Sequence, residues 1–74
     1  MNLDHLRYFK TIAECEHYGR AAVLLHVSQP NLNYAVTQLE SELGVPLFEK
    51  AGRNVRLTRY GRLFLQSATE SLQK

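Results

Sequence analysis

The chain lacks most of the features of secreted and membrane proteins. It contains a single cysteine, Cys15, which cannot form an internal disulfide and fits a reducing compartment. Its apolar runs, such as residues 21–25, are far shorter than a membrane span, and the amino terminus has no apolar signal-peptide centre. We therefore expect a cytoplasmic protein without membrane contact.

Residues that build metal sites or catalytic centres are also scarce. The three histidines and Cys15 do not show the spacing of structural zinc ligands. No motif combines a nucleophile, a base and an orienting group. We predict no metal, no cofactor and no enzymatic activity.

Length and composition limit the chain to one small folded domain. It has 74 residues, of which 45% are hydrophobic and 22% charged, close to the globular average and unlike a disordered segment. A chain of this size buries only about 60% of its unfolded surface. The core must therefore be small.

Charge is missing from one long stretch, because no Asp, Glu, Lys or Arg occurs between Arg20 and Glu40. Within it, Ser28 is placed to cap a helix and Pro30 lies in the first turn, where no N–H is needed. The apolar residues of this helix, predicted over residues 29–43, recur at helical spacing: Leu32, Val36, Leu39 and Leu43. The outward residues are polar or neutral: Gln29, Pro30, Asn33, Tyr34 and Thr37.

Two helices are predicted before this stretch. Asn2 can cap the first, which should end near residues 14–16. A short second helix over about residues 20–25 carries Ala21 and Ala22 inward, where small side chains allow close helix packing. Only residues 26–28 separate it from the third helix, as in a helix-turn-helix.

A hairpin and a fourth helix are predicted after it. Gly44 and Pro46 end the third helix, and residues 47–50 and 54–58 read as two short strands. Thr58 then caps a fourth helix that begins at residue 59. Its apolar stripe is still running at the end of the chain, which indicates either a truncated chain or a dimer seam: Gly61, Phe64, Leu65, Ala68 and Leu72.

Positive charge is concentrated around the hairpin, with no acid among residues 50–62. Such clustering favours a polyanion, although basic residues also simply solvate turns. A helix-turn-helix with a basic hairpin is a winged helix-turn-helix, mostly α with a small β-hairpin, whose third helix fits the major groove. We predict these DNA contacts: Gln29, Pro30, Asn33, Tyr34, Thr37, Lys50, Arg53, Arg56 and Arg59.

Seven of these contacts have a chemical reason in their side chains. The amides of Gln29 and Asn33 can bind adenine at two points or contact phosphate, and Tyr34 can meet a thymine methyl or a phosphate. Arg53 at the hairpin tip suits a narrow minor groove. The remaining basic residues of the set, Lys50, Arg56 and Arg59, are predicted phosphate contacts.

The chain resembles the N-terminal domain of the LysR-type transcriptional regulators, in the segments LRYFKTIAE, HYGRAA, LLHVSQPNL, QLESELGVPLF and RNVRLTRYG. The resemblance adds Ser28 to the predicted DNA contacts and implies that Gln29, Pro30, Asn33, Tyr34 and Arg53 also occupy DNA-contacting positions. It implies a DNA-binding domain over residues 1–58 and the start of a linker helix over 59–74. Linker helices pair protomers, here through Phe64, Leu65, Ala68 and Leu72, on an inverted-repeat operator. It also implies a C-terminal domain, absent from this chain, that binds a small-molecule effector.

This chain departs from the family pattern at several positions. Asn33 and Tyr34 stand where serine and a basic residue are usual, so the bases read are expected to differ. Gly19 replaces a better capping residue. Apolar Val23 and Leu24 replace polar residues, which predicts a small exposed patch beside the second helix, and Tyr60 replaces a small residue.

Three functions remain open from the sequence. The first is sequence-specific DNA binding as a dimer. The second is protein interaction through the patch of Val23 and Leu24 or through the fourth helix, and the third is weak, sequence-independent nucleic-acid binding through the basic hairpin.

Overall fold

The computed structural model describes residues 2–72, with side chains described for residues 2–70. Four helices and a two-stranded antiparallel hairpin follow one another along the chain. The elements are α1 (Leu3–Cys15), α2 (Tyr18–Leu25), α3 (Gln29–Leu43), β1 (Phe48–Ala51), β2 (Asn54–Leu57) and α4 (Arg59–Leu72). The predicted winged helix-turn-helix is confirmed.

The ends of α1 and α3 lie where capping residues predicted them. The Asn2 side chain accepts a hydrogen bond from the Asp4 N–H at 2.7 Å, and the Ser28 hydroxyl accepts one from the Asn31 N–H at 3.2 Å. Gly44 ends α3 in the left-handed conformation, with φ 74°. Side chains thus satisfy N–H groups that have no partner within the helix.

Helix α2 begins two residues earlier than predicted. Its N-cap is His17, whose Nδ1 accepts a hydrogen bond from the Arg20 N–H at 3.0 Å. The interpretation of Gly19 as the capping position was therefore wrong, because Gly19 lies inside the first turn. Histidine supplies a ring nitrogen where a hydroxyl or carboxylate oxygen is more common.

The core of the helix-turn-helix joins α1, α2 and α3. Ala21 and Ala22 are buried, as predicted, and they belong to one apolar cluster with Ile12, Leu32 and Val36. Leu3, at the start of the apolar pattern of α1, is instead 58% exposed. The close approach of α2 to its neighbours fixes the position of α3.

A second cluster joins α1 and α3 to the hairpin and α4. Phe9, Leu39 and Leu47 are fully buried in it. The Phe9 ring lies 5.3 Å from that of Phe48 and 5.0 Å from that of Phe64, measured between centroids. One aromatic side chain of α1 therefore holds both the hairpin and α4.

The hairpin is tighter than predicted. Phe48 pairs with Leu57 and Ala51 with Asn54. Strand β1 therefore lies one residue later than predicted, β2 begins as predicted but ends one residue earlier, and only residues 52–53 form the turn. Arg53 lies at the tip, as predicted, next to Gly52 with φ 66°.

The apolar stripe of α4 packs largely within this domain. The Thr58 hydroxyl caps the helix as predicted, accepting from the Gly61 N–H at 3.0 Å. Ala68 is buried, while Phe64 and Leu65 are half-buried against the second cluster. Side chains on both sides of the predicted boundary at residues 58 and 59 therefore pack in the same cluster. The side chain of Leu72 lies outside the described residues.

The exposed side of α4 carries different apolar side chains. Leu63 is 65% exposed and Tyr60 44% exposed. Because Ala68 is buried, these two side chains form the exposed apolar surface of α4. No helix in the described part of the chain is long and apolar enough to cross a membrane.

Candidate nucleic-acid interface

The ten predicted DNA contacts are all exposed. They lie on two parts of the molecule, the outward side of α3 and the hairpin with the start of α4. Ser28 has its hydroxyl engaged as the N-cap of α3. Both groups face solvent. No charged or polar residue of the described chain is buried, so no buried charge lies beneath them.

A cleft of about 550 Å³ brings four of the ten together. Gln29 and Asn33 lie on its α3 side, and Lys50 and Arg53 on its hairpin side. Gln29 and Asn33 are four residues apart, so one helical turn places both amides on the same side of α3. Amides that can read base edges are thus adjacent to cations that can bind phosphate.

The cleft has a positive charge. Among the described residues that line it, the formal charges are those of Lys50 and Arg53. Tyr18 also lines it, and burial, with a smaller contribution from the carboxylate of Glu40, raises the pKa of Tyr18 to about 12. Its hydroxyl therefore stays neutral near physiological pH and adds no negative charge.

Two predicted contacts on α3 lie outside this cleft. The Tyr34 ring is 59% exposed and makes an edge contact with the His5 ring of α1, with 6.4 Å between centroids. Thr37 borders a separate shallow depression with Ser41 and Pro46. Tyr34 is thus oriented by α1, a contact that the sequence did not indicate.

The remaining two basic residues have local partners. Arg56 forms an ion pair with Glu49, its neighbour across the hairpin, at 3.3 Å. The Arg59 guanidinium lies over the Tyr60 ring, 5.9 Å from its centroid. Exposed pairs of this kind are weak, so both side chains can exchange these partners for phosphate.

Three contacts that the sequence did not indicate hold the hairpin and the segment before it against α3, the end of α1 and the start of α2. The Glu40 carboxylate accepts a hydrogen bond from the Leu47 N–H at 2.7 Å, and the Glu16 carbonyl accepts one from the Val55 N–H at 3.0 Å. The Phe48 ring packs on Tyr18, with 6.0 Å between centroids. Glu40 ends the uncharged stretch of sequence, which is the only signal that could have singled it out.

Most of the chain matches the sequence profile of one known family. The sequence profile described as "Bacterial regulatory helix-turn-helix protein, lysR family" matches residues 3–62. The chain belongs to the LysR family. The matched region extends from α1 into α4 and contains every side chain of the cleft.

Individual relatives share the whole domain but are longer proteins. The HTH-type transcriptional regulator CatR of Pseudomonas putida is 47% identical over 73 residues, which are 99% of this chain and 25% of CatR. The Hca operon transcriptional activator HcaR of Escherichia coli is 45% identical over 74 residues, 100% of this chain and 25% of HcaR. The chain thus spans about a quarter of the length of these two LysR-family relatives.

A solved structure has the same fold in the presence of DNA. The crystal structure of the CbnR_DBD–DNA complex matches with a TM-score of 0.94 and 40% sequence identity, covering 99% of this chain and 84% of that chain. Among the described residues, no group of three or more His, Cys, Asp or Glu side chains is placed to hold a metal ion.

Proposed function

We propose that this chain is the DNA-binding domain of a LysR-family transcriptional regulator and binds duplex DNA in a sequence-specific way. In this proposal α3 enters the major groove and the hairpin contacts the backbone or the minor groove. The observation that carries it is the cleft, where Gln29 and Asn33 face Lys50 and Arg53. The domain matched in CbnR is one that was crystallised with DNA.

The proposal extends to the whole protein. A homodimer would place two copies of α3 one duplex turn apart, roughly 34 Å, on an inverted repeat. Exposed Leu63, with half-buried Phe64 and Leu65, is the surface of α4 proposed to meet the partner. The effector would bind a further C-terminal domain. The regulator would have no enzymatic activity, and it would act in the cytoplasm, where bacterial DNA lies.

The experiment that tests this function is selection of bound duplexes from a random pool, followed by salt titration. A specific binder enriches one half-site and keeps its preference against excess random DNA. Equal binding to all duplexes with a steep loss in salt would instead identify a sequence-independent binder. Absence of binding at low salt would contradict the proposal.

A protein-interaction role has one supporting observation. Val23 and Leu24 are 74% and 60% exposed on α2, as the sequence predicted. Their substitution by serine should leave DNA affinity unchanged if they serve a protein partner.

Replacing Gln29 with alanine should relax base preference at one position of the selected site, at a cost of about 1–3 kcal/mol in discrimination. The reason is that its exposed amide loses a two-point contact with a base edge. Binding to the selected duplex and to single-base variants measures the effect. Gln66→Ala, on the exposed side of α4, is the matched control, and an unchanged preference for Gln29→Ala would contradict the proposed docking.

Replacing Arg53 with alanine should weaken binding by about 1 kcal/mol or more. Because this contact is to the backbone or the minor groove, the salt dependence should also become shallower, by about one counterion. Fluorescence anisotropy at several salt concentrations measures both quantities. Arg7→Ala removes an exposed arginine of α1 and should change neither.

A further inference from the structure

We propose that His17 is a DNA-contacting residue, whose imidazole Nε2–H donates a hydrogen bond to a backbone phosphate beside the bases that Gln29 meets. This inference rests on the proposed DNA-binding function. It concerns a residue outside the ten that the sequence indicated. His17 lines the same cleft as Gln29, Asn33, Lys50 and Arg53.

The capping hydrogen bond fixes the chemistry of this ring. Nδ1 accepts from the Arg20 N–H at 3.0 Å, so Nδ1 carries no proton and the neutral ring carries its proton on Nε2. Nε2 has no hydrogen-bond partner among the described residues. The cap thus leaves a single, oriented N–H donor for a ligand.

Gly19 allows this ring to lie beside Gln29. A Cβ built on Gly19 would stand 3.0 Å from Cε1 of His17 and 3.7 Å from Oε1 of Gln29. The imidazole and the amide are therefore neighbours over the same backbone position, and a side chain at residue 19 would press on the ring. The ring reaches the cleft because residue 19 has no side chain.

The position of α2 favours a phosphate as the ligand. In a helix-turn-helix, the first helix crosses the DNA backbone while the second enters the groove. His17 precedes the first of these helices, α2, and Gln29 begins the second, α3. The positive end of the α2 dipole and the nearby Lys50 and Arg53 also favour an anion.

A phosphate contact positions the protein without reading sequence. Loss of the His17 contact should therefore weaken binding to every duplex by the same factor. If His17 acted by orienting Gln29, its loss would alter base preference instead. These two outcomes separate direct contact from an indirect effect.

The test is the substitution His17→Asn, because asparagine is among the best N-caps but its amide is too short to replace the ring. Binding to the duplex recovered by selection and to a random duplex of equal length should both weaken about fivefold to tenfold. Thermal unfolding should stay unchanged. His17→Asp keeps the cap and adds a negative charge, so its loss of binding should be larger still.

The matched control is His26→Asn, at the other end of α2. His26 is exposed and has φ 58°, a conformation that asparagine tolerates, so DNA affinity should not change. Long-range proton–nitrogen spectra of the wild-type chain provide a second measurement. They should show the proton on Nε2 of His17, and the Nε2 resonance should shift when the selected duplex is added.

Each outcome decides a separate question. Unchanged affinity of His17→Asn at unchanged thermal stability, or an unshifted Nε2 resonance, would overturn the phosphate contact while leaving the DNA-binding function intact. A change in base preference like that of Gln29→Ala would overturn it in favour of an effect through Gln29. Failure of the wild-type chain to bind any duplex would overturn the proposed function itself.

Discussion

Replacing Gly61 with alanine is expected to destabilise the domain by about 3 kcal/mol or more. Gly61 is buried where α4 meets the segment before the hairpin, and an added Cβ would overlap the carbonyl oxygen of Leu47 and stand 2.9 Å from Cδ2 of Leu57. That carbonyl is held in place, because it accepts the Thr58 N–H at 3.0 Å. The start of α4 would have to move away from the core.

Thermal unfolding followed by circular dichroism measures this effect. For a domain of this size, about 3 kcal/mol corresponds to a fall in Tm of roughly 12–24 °C. Gly44→Ala is the matched control, because nothing lies within 4 Å of a Cβ there and only its φ of 74° opposes the change. Gly44→Ala should lower the free energy of unfolding by about 1–2 kcal/mol. Equal losses for the two variants would show that the close approach at Gly61 is unimportant.

The local features of this fold were predictable because they depend on neighbouring residues. Asn2, Ser28 and Thr58 each cap a helix through a residue two or three positions away, and such contacts can be read along the chain. The basic hairpin and the neutral outward side of α3 followed from the order of charges. These features were enough to predict the winged helix-turn-helix.

Contacts between residues that are distant along the chain were not predictable from the sequence. The stripe of α4 looks the same in sequence whether it packs on its own domain or on a partner, and only the fold shows that α1 covers Ala68. Likewise, the contact between Glu40 and Leu47 depends on the bend of the chain after Gly44. Periodicity identifies an apolar side of a helix but does not identify what covers it.

The sequence predicted which residues belong to the candidate site, but it did not predict the cleft in which four of them meet. The exposed polar residues of α3 were identifiable, and helical spacing placed Gln29 and Asn33 on its flank, but that spacing did not show which of them the hairpin would lie beside. The structure separates these two from Thr37, because the hairpin lies beside the first turns of α3 and leaves Thr37 on another surface. His17 was not predicted as the N-cap of α2, because histidine is rare at that position. From the sequence, the cap was assigned to Gly19, which has no side chain with which to cap.

Replacing Phe9 with alanine is expected to cost about 3–5 kcal/mol, a large part of the total stability of a domain this small, which is roughly 4–11 kcal/mol. Phe9 is fully buried and its ring contacts those of Phe48 and Phe64. The substitution leaves a cavity where α1, β1 and α4 meet. Urea unfolding should show a lower midpoint, with a partly unfolded population at 37 °C.

The conservative variant Phe9→Leu tests what this cluster does for function. It should remain folded at a cost of about 1–2 kcal/mol, yet the Phe48 ring and the hairpin that carries it lose part of their support. Binding to the selected duplex should therefore weaken although Phe9 touches no DNA, and the salt dependence assigned to Arg53 should become shallower. Leu63→Ala, which removes a 65% exposed side chain, should change stability by less than about 0.5 kcal/mol. Full DNA affinity of Phe9→Leu would show that the hairpin holds its position without this aromatic contact, through the Glu40 and Glu16 hydrogen bonds and the packing of Phe48 on Tyr18.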